Sequence, residues 1–530
     1  MKPEQLFILG RAESGSAEAA ATPARANRSA LSVTAVAVAL AIASSLVLTL
    51  GGCASSAGIA STAKPIAPAS VGLDDASAPS VSTTAMAAAA LPADWWQGFG
   101  DVALTALVER ALAENPSLKA AQARLARAEA AVGGAQAAEG VQVNGVVDAT
   151  RQRFSANSIY PKPLGGGIFT LSTAQLGASW EFDFFGRNRA AIEAAVGTQR
   201  AVQADAQAAR IVLASSVVRT YVQLGRLFEQ REVAQRSLAQ REQILGLIRQ
   251  RVQAGLDTTV EQRQGEGALP ESRLQIEQLD EQIMLARHAL AALTSQAPNA
   301  LDSLTVPLRT LQVLALPATV PADLLGRRAD ITAARWRIEA ASSDSQSARA
   351  QFYPNINLTA FVGLSSIGLD RLVNAHSEQY GFGPALRLPI FDAGRLRANL
   401  RGKTAELDAA IESYNAAVLD AVHDAADQIG SLRSISRQQA EQTSAQTAAE
   451  SAYDLATQRY KAGLGTYLTV LNAEATVLLQ RRLATDLKAR ALDLQVALIR
   501  ALGGGYAADS VPAVAPAQAS ARPTNSGDKS

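Results

Sequence analysis

Cys53 is the only cysteine of the chain, and it closes the stretch Leu48-Thr49-Leu50-Gly51-Gly52-Cys53. A thiol is a nucleophile, so the chemistry on offer there is modification at sulfur. An internal disulfide is excluded, because no second cysteine exists. Other reactive constellations are missing. His288, His376 and His423 stand far apart, without ligand-like spacing and without a cysteine partner. No Gly-x-Ser-x-Gly elbow and no phosphate loop appear, and the glycine runs 165–167 and 503–505 read as turns or helix stops. Neither a catalytic centre nor a metal centre nor a diffusible cofactor is expected.

The residues ahead of Cys53 explain its placement. Residues 30–50 carry no charge, and Arg11, Arg25 and Arg28 lie upstream. That is a basic region, an apolar core and a small-residue cleavage site, the layout of an export signal. With cysteine after Gly51-Gly52, it resembles a bacterial lipoprotein signal. The resemblance implies removal of 1–52, acylation of the Cys53 thiol and the new amino terminus, and a chain tethered by lipid. Two or more acyl chains make such an anchor stable. Ala54, rather than Asp, by analogy with lipoprotein sorting favours the outer membrane. A transmembrane anchor is the alternative, since the run approaches the ~20 residues that span a bilayer; the position of Cys53 favours the lipid signal.

Charge is balanced, Lys+Arg 49 against Asp+Glu 48, with no basic block, so nucleic acid is not an expected partner. Residues 53–93 are rich in Ala, Ser and Pro with few large side chains, and are expected to form a disordered tether. Residues 507–530 share that character and are expected to form a disordered tail.

Between them one unit occurs twice, over 94–300 and 301–506. Gly186-Arg187-Asn188-Arg189-Ala190 returns as Gly394-Arg395-Leu396-Arg397-Ala398. Arg251-Val252-Gln253-Ala254-Gly255-Leu256-Asp257-Thr258 returns as Arg459-Tyr460-Lys461-Ala462-Gly463-Leu464-Gly465-Thr466 at the same offset. A looser match aligns Leu118, Ala121, Arg124, Leu125 and Ala128 with Ile331, Ala334, Arg337, Ile338 and Ala341. An internal tandem duplication accounts for this.

Each copy has one order of elements. A helix over 102–138, interrupted near Asn115-Pro116, opens the first. Period-2 alternation follows: Val141, Val143, Val147 and Ala149 against Gln142, Asn144, Asp148 and Thr150, then Leu176, Ala178, Trp180, Phe182 and Phe184 against Gln175, Gly177, Ser179, Glu181 and Asp183. That pattern predicts two half-apolar strands joined as a hairpin through 160–167. The second copy repeats it with Ile356, Leu358, Ala360 and Val362, then Tyr380, Phe382, Leu386 and Leu388. Proline-free stretches rich in helix formers come next, 186–252 and 393–461, each ~100 Å long as a helix. Antiparallel helices over 259–293 and 466–502 return, and helices of this length indicate a coiled coil. Gly265, Gly267 and Pro270 are expected to bend the first return helix near Ala268.

Four strands of about ten residues suit a membrane barrel with one face to lipid and one to a lumen. Four cannot close, and open edges in lipid are forbidden. Three copies would supply twelve. The fold class expected is thus an α+β membrane protein: a trimeric 12-stranded β-barrel, four strands per chain, continuous with a long α-helical tunnel. A soluble sheet packed on helices is the alternative.

Trp180-Glu181-Phe182-Asp183-Phe184-Phe185-Gly186-Arg187 resembles the strand-to-helix motif of the outer-membrane efflux proteins, the TolC/OprM-like family, in its lipoprotein (NodT-type) branch. Trp95-Trp96, Asn115-Pro116, Phe352-Tyr353-Pro354, Leu388-Pro389-Ile390-Phe391-Asp392-Ala393-Gly394-Arg395 and Arg459-Tyr460 with Gly463 are similar to the family as well. Arg327-Arg328-Ala329-Asp330-Ile331 departs from its usual Arg-Pro-Asp-Ile. The resemblance implies a homotrimer in outer-membrane lipid, serving as exit duct of tripartite pumps. It also implies two partners, a periplasmic adaptor and an inner-membrane transporter, often of the resistance-nodulation-division type. A type I protein-secretion duct shares the architecture, and a structural envelope lipoprotein is a further alternative.

Site residues follow from these parts. Asp183 and Asp392 precede Gly186 and Gly394, where they could cap the helices that begin there, while Arg187 and Arg395 could pair with carboxylates near the membrane edge. Gly255 and Gly463 allow the two tips to turn. The resemblance implies that Gly255, Leu256, Thr258, Gly463, Leu464 and Thr466 touch the adaptor. It also places an acidic aperture residue near the second tip, where Asn472 stands. Asp257, Asn472 and Glu474 are the aperture candidates, and with Asn472 and Gly465 uncharged, a constriction of hydrogen bonds or apolar contact is the alternative to a charged gate.

Overall fold

A computed structural model describes residues 55–67, 92–157, 159–313 and 328–506. Cys53, the signal region 1–52, the tether residues 68–91, Arg327 and the tail 507–530 lie outside the described residues.

A 3-10 turn, Trp95–Phe99, leads into α1 (Val102–Glu114) and α2 (Pro116–Ala137). Asn115 separates them by doing two jobs. It ends α1, and its side chain accepts from the Ser117 N–H at the start of α2, where Pro116 needs no donor. Strands β1 (Gln142–Arg153) and β2 (Ile168–Phe182) follow, then α3 (Arg187–Gln253) and α4 (Thr259–Leu293). The second half repeats the order as α5 (Ala329–Ala350), β3 (Asn355–Ile367), β4 (Glu378–Arg387), α6 (Arg395–Lys461) and α7 (Tyr467–Ala501). The long helices have 67 residues each and the return helices 35 each. α4 continues through Gly265, Gly267 and Pro270 as one helix.

The two hairpins join into one antiparallel sheet of order β1-β2-β3-β4. Its register sorts the side chains. Val147 lies opposite Ala174, Leu176 opposite Val362, Trp180 opposite Leu358, Val362 opposite Tyr380 and Ala360 opposite Phe382, all on one face. That face is uncovered: Val147, Tyr380 and Phe382 are 85%, 82% and 86% exposed. The other face carries Asn144, Asp148, Gln175, Glu181, Asn357, Thr359 and Gln379. Gln379 donates to Gln175 across Gly363, at 3.1 Å. A Cβ at 363 would stand 2.3 Å from the Ala174 carbonyl, so only glycine admits that approach. Neither the outer edge of β1 nor that of β4 pairs with a strand among the described residues. Among them, no helix is long and apolar enough to cross a membrane.

The two largest apolar clusters among the described residues hold the helices. One gathers Trp95, Phe99, Leu104, Val217, Tyr221, Leu224, Leu290, Leu308 and Val496 at mid-length. The other, Ile248, Tyr453, Tyr460, Tyr467, Val470 and Val477, lies toward the far ends of the hairpins.

The expectation of disorder over 53–93 fails for 55–67. This segment lies extended along α6. The Asp408 carboxylate accepts from the Ser61 hydroxyl and the Thr62 and Ala63 N–H groups at 2.6, 3.1 and 3.3 Å. Asn415 bonds both Ile66 N–H and Lys64 O, at 2.7 and 3.0 Å. Ile59 is buried against Ala348, Leu400 and Phe352, and Ile66 packs beside Tyr414 and Val418. Average composition misjudged the segment because two isoleucines and a few backbone donors suffice when a helix supplies the matching surface.

Candidate functional site

Two regions gather the singled-out residues: the strand-to-helix junctions and the tips of the helical hairpins. At the junctions, Gly186 and Gly394 adopt left-handed conformations, φ 72° and 87°, which turn the strand ends into α3 and α6. Asp183 accepts from the Arg189 N–H at 2.8 Å. Asp392 accepts from Gly394 and Leu396 N–H at 3.0 and 2.8 Å. Both aspartates thus satisfy free donors at a helix start and complement its dipole. Arg187 pairs with Glu181 at 2.6 Å. Arg395 has no ion pair among the described residues. Between the junctions lies a cavity of about 840 Å³, with Phe185 stacked on Tyr353 in its wall.

At the tips, α3 and α6 end alike. Gly255 and Gly463 have φ of 71° and 74°. Leu256 and Leu464 N–H groups reach back to Arg251 O and Arg459 O at 2.8 Å, closing the helix-ending loop that glycine makes possible. Thr258 forms a capping box with Glu261 at the start of α4. Thr466 makes no such side-chain cap, and its hydroxyl meets that of Thr469. Leu256 and Leu464 project into solvent, 65% and 71% exposed.

Behind the turns the two hairpins are tied together. Arg251 grips Asp257 with two nitrogens, at 2.9 and 3.2 Å. The Tyr460 hydroxyl, from the second hairpin, donates to the same carboxylate. Arg251 also donates to Tyr460 O at 3.2 Å and lies over its ring. Burial alone would raise the Asp257 carboxyl. The hydrogen bonds from Arg251 and Tyr460, with the Arg251 charge, outweigh it and hold the group below its usual range. Burial and the Asp257 carboxylate push the Tyr460 hydroxyl up.

A second tie lies deeper. Arg241 of α3 meets Glu474 of α7 at 3.0 Å, and Ser237 donates to that carboxylate. Arg241 also donates to Ala268 O and Ser272 Oγ of α4, at 3.1 and 2.9 Å. One guanidinium therefore joins three helices beside Pro270.

This geometry corrects the aperture candidates. The Glu474 side chain is 5% exposed and spent on an internal pair, so it lines no opening. Asp257 is likewise engaged rather than free. Asn472 alone is exposed. Sequence alone does not single out Arg241, and it shows Arg251 and Tyr460 only as parts of the repeated tip motif, not as partners of Asp257. The six-residue spacing of Arg251 and Asp257 across a glycine turn could have revealed their pair. Among the described residues no His, Cys, Asp and Glu cluster could hold a metal ion.

Comparison with known proteins agrees with these parts. Residues 107–296 and 320–504 match the family model described as outer membrane efflux protein. The chain is 39% identical over 312 residues to the fusaric acid resistance protein FusA of Burkholderia cepacia, covering 58% of this chain and 59% of that protein. It is 33% identical over 420 residues to the multidrug resistance outer membrane protein MdtQ of Escherichia coli, 78% and 88% respectively. It is 33% identical over 419 residues to the pyoverdine export outer membrane protein OpmQ of Pseudomonas aeruginosa, with the same coverage. Its fold is similar to the outer membrane protein VceC of Vibrio cholerae, TM-score 0.74 at 36% identity, over 78% of this chain and 99% of that one. It is also similar to the outer-membrane channel OprN, TM-score 0.74 at 27% identity, over 85% and 98%. The duplicated hairpin order, the apolar-faced sheet and the matched residues together place this chain in the outer membrane efflux protein family, whose members are outer-membrane channels.

Proposed function

We propose that the chain is the outer-membrane exit duct of a tripartite efflux pump, passing small toxic molecules passively from an inner-membrane transporter to the exterior. The observation that carries this reading is the sheet. One face is apolar and uncovered, both edges are unpaired, and Gly186 and Gly394 connect the strands directly to 67-residue helices. Unpaired edges cannot stand in hydrocarbon, so the sheet must close on other copies. Single-chain barrels begin at eight strands, and three copies of this sheet give twelve. The helices then continue the bore as a coiled-coil tunnel. Equal helix lengths and the two separate family matches support descent from a duplicated unit.

The exposed Leu256 and Leu464, with Gly255, Thr258, Gly463 and Thr466 around them, are the surface for the periplasmic adaptor. The transporter beyond it is of the resistance-nodulation-division type. The tie between Asp257, Arg251 and Tyr460 holds the two hairpins of one protomer in the closed arrangement. Anchoring is through lipid on Cys53. Arg397, at the membrane end of α6, donates to Ser55 O. Cys53 precedes Ser55 by two residues in sequence, and acyl chains on it would anchor the chain in the leaflet.

The direct test is accumulation of drugs, dyes and metal ions in a host lacking its other ducts. Retention relieved by the intact protein supports the reading. Unchanged retention alongside restored export of a secreted protein would replace it with protein secretion. Leu464→Asp should abolish export while leaving the assembled duct in the membrane, and a Cys53→Ser chain should take up no labelled palmitate.

A further inference from the structure

In the trimer proposed above, the backbone limits the register of the seam between protomers. The backbone groups free at each edge follow from those already used. Ser365 N–H donates to Ser377 O at 2.8 Å, so odd-numbered residues of β4 bond inward to β3. By the alternation of an antiparallel ladder, Glu378, Tyr380, Phe382, Pro384 and Leu386 face the free edge. Pro384, which has no N–H, falls in that outer set, where an edge strand tolerates it. Phe154 N–H donates to Gly167 O at 2.9 Å, so even-numbered residues of β1 bond inward to β2. Val143, Gly145, Val147, Ala149, Arg151 and Arg153 face the other free edge. Both outer sets lie on the apolar face, so pairing one with the other continues that face across the seam.

The shift between them is bounded by barrel geometry. Glu378 lies opposite Leu364, Leu364 opposite Ala174, and Ala174 opposite Val147, so Glu378 shares a rung with Val147 of its own chain. Strand number, stagger and tilt are linked in a closed barrel. With ~3.3 Å rise and ~4.8 Å strand spacing, a twelve-strand barrel tilts by about 35° for a shift of about four residues per protomer, and about 46° for about six. Shifts of about two or about eight give about 19° and about 54°, outside the ~35–45° of membrane barrels. The ladder alternation admits even shifts only. Their direction is already visible. Ser179 faces Gln142, the first residue of β1, yet β2 runs on to Phe182 at that end. Continuing that step brings Arg151 of the neighbour opposite Glu378 for the smaller shift, and Arg153 for the larger.

The charges fit. Arg151, Arg153 and Glu378 are the only charged residues on the apolar face of the four strands, and all lie on the two edge strands. All three are exposed. Neither arginine has an ion pair or side-chain hydrogen bond among the described residues, and the Glu378 carboxylate accepts only the His376 N–H, at 2.9 Å. We infer that Glu378 of one protomer seats against the neighbour's Arg151–Arg153 pair, an ionic clasp at the outer rim of each seam that sets the barrel's register.

Cysteine pairs test this in outer membranes of cells making the full chain. Glu378→Cys combined with Arg151→Cys or with Arg153→Cys should give disulfide-linked trimers on oxidation, and the single substitutions should not. Trimers that cross-link instead through Val143→Cys or Val147→Cys with Glu378→Cys would overturn the register. An unsubstituted protein that is not trimeric would overturn the trimeric reading itself. Charge reversal guards against misfolding of the cysteine variants: Arg151→Glu with Arg153→Glu should lose trimer, and adding Glu378→Arg should restore it. Loss without restoration counts against the clasp.

Discussion

Asp257 and Tyr460 lie 203 residues apart on different helical hairpins, yet the tyrosine hydroxyl donates to the aspartate carboxylate. Arg251 holds the same carboxylate, its Nε on the oxygen that the tyrosine also meets. One anion therefore serves both hairpins, the arrangement proposed above to hold the tip closed. A hydrogen bond to a charged group contributes about 1.5–3 kcal/mol, or about 10–150-fold in a closed-to-open ratio. Tyr460→Phe should raise spontaneous opening by that factor in planar-bilayer recordings. Asp257→Ala should raise it further, because Arg251 loses its partner too. Unchanged opening in both variants would remove the tie from the gate.

The same carboxylate gives the gate a pH dependence. Asp257 titrates below its ordinary value while the Arg251 and Tyr460 hydrogen bonds are made. Its contribution to closure is therefore complete above the ordinary carboxylate value, ~3.9, and is lost as pH falls through the depressed one. Opening should be flat from neutral pH down to about 5 and should rise below about 4. Asp257→Asn should flatten that acid limb. An acid limb of the same height in the variant would assign it to another group.

Period-2 alternation located all four strands, and proline-free composition located the 67-residue helices to within two residues at their starts and one at their ends. These are local patterns, repeated at one offset, and local patterns are what a sequence displays. The ties behind the tips were hidden because their partners are distant. Glu474 reads as one more carboxylate on a solvated helix, and only the packing of α3, α4 and α7 reveals Arg241 against it. The clamp of Asp408 on 55–67 was hidden for the same reason, since its donors, two backbone amides and two hydroxyls, lie 345 to 347 residues away.

Glu474 gives a stability prediction. Arg241 and Glu474 are 14% and 5% exposed, so removing one leaves a charge with little access to water. Breaking such a pair from one side costs about 3–5 kcal/mol, whereas replacing both with apolar groups is often near neutral. Glu474→Leu should lower the temperature at which purified trimers dissociate in detergent. Adding Arg241→Met should recover most of the loss. A double variant no more stable than the single one would show that Arg241 matters chiefly for α4, through Ala268 O and Ser272.

The segment 55–67 gives a prediction separable from folding. Asp408 is held below its usual value by the Ser61 hydroxyl, against a burial effect that would raise it, with help from the Ala63 and Thr62 amides. Its donors come from one short stretch, so Asp408→Ala should release that stretch while leaving α6 intact. Ile59 and Ile66 would keep weaker hold at either end. Limited proteolysis of membranes should then cut the variant within 55–67 several-fold faster than the parent chain, with trimer content unchanged. Because the lipid would be attached just upstream, cutting there should also free the amino-terminal lipid from the duct without removing the barrel from the membrane. Equal cutting rates in variant and parent would mean that the two isoleucines alone hold the segment.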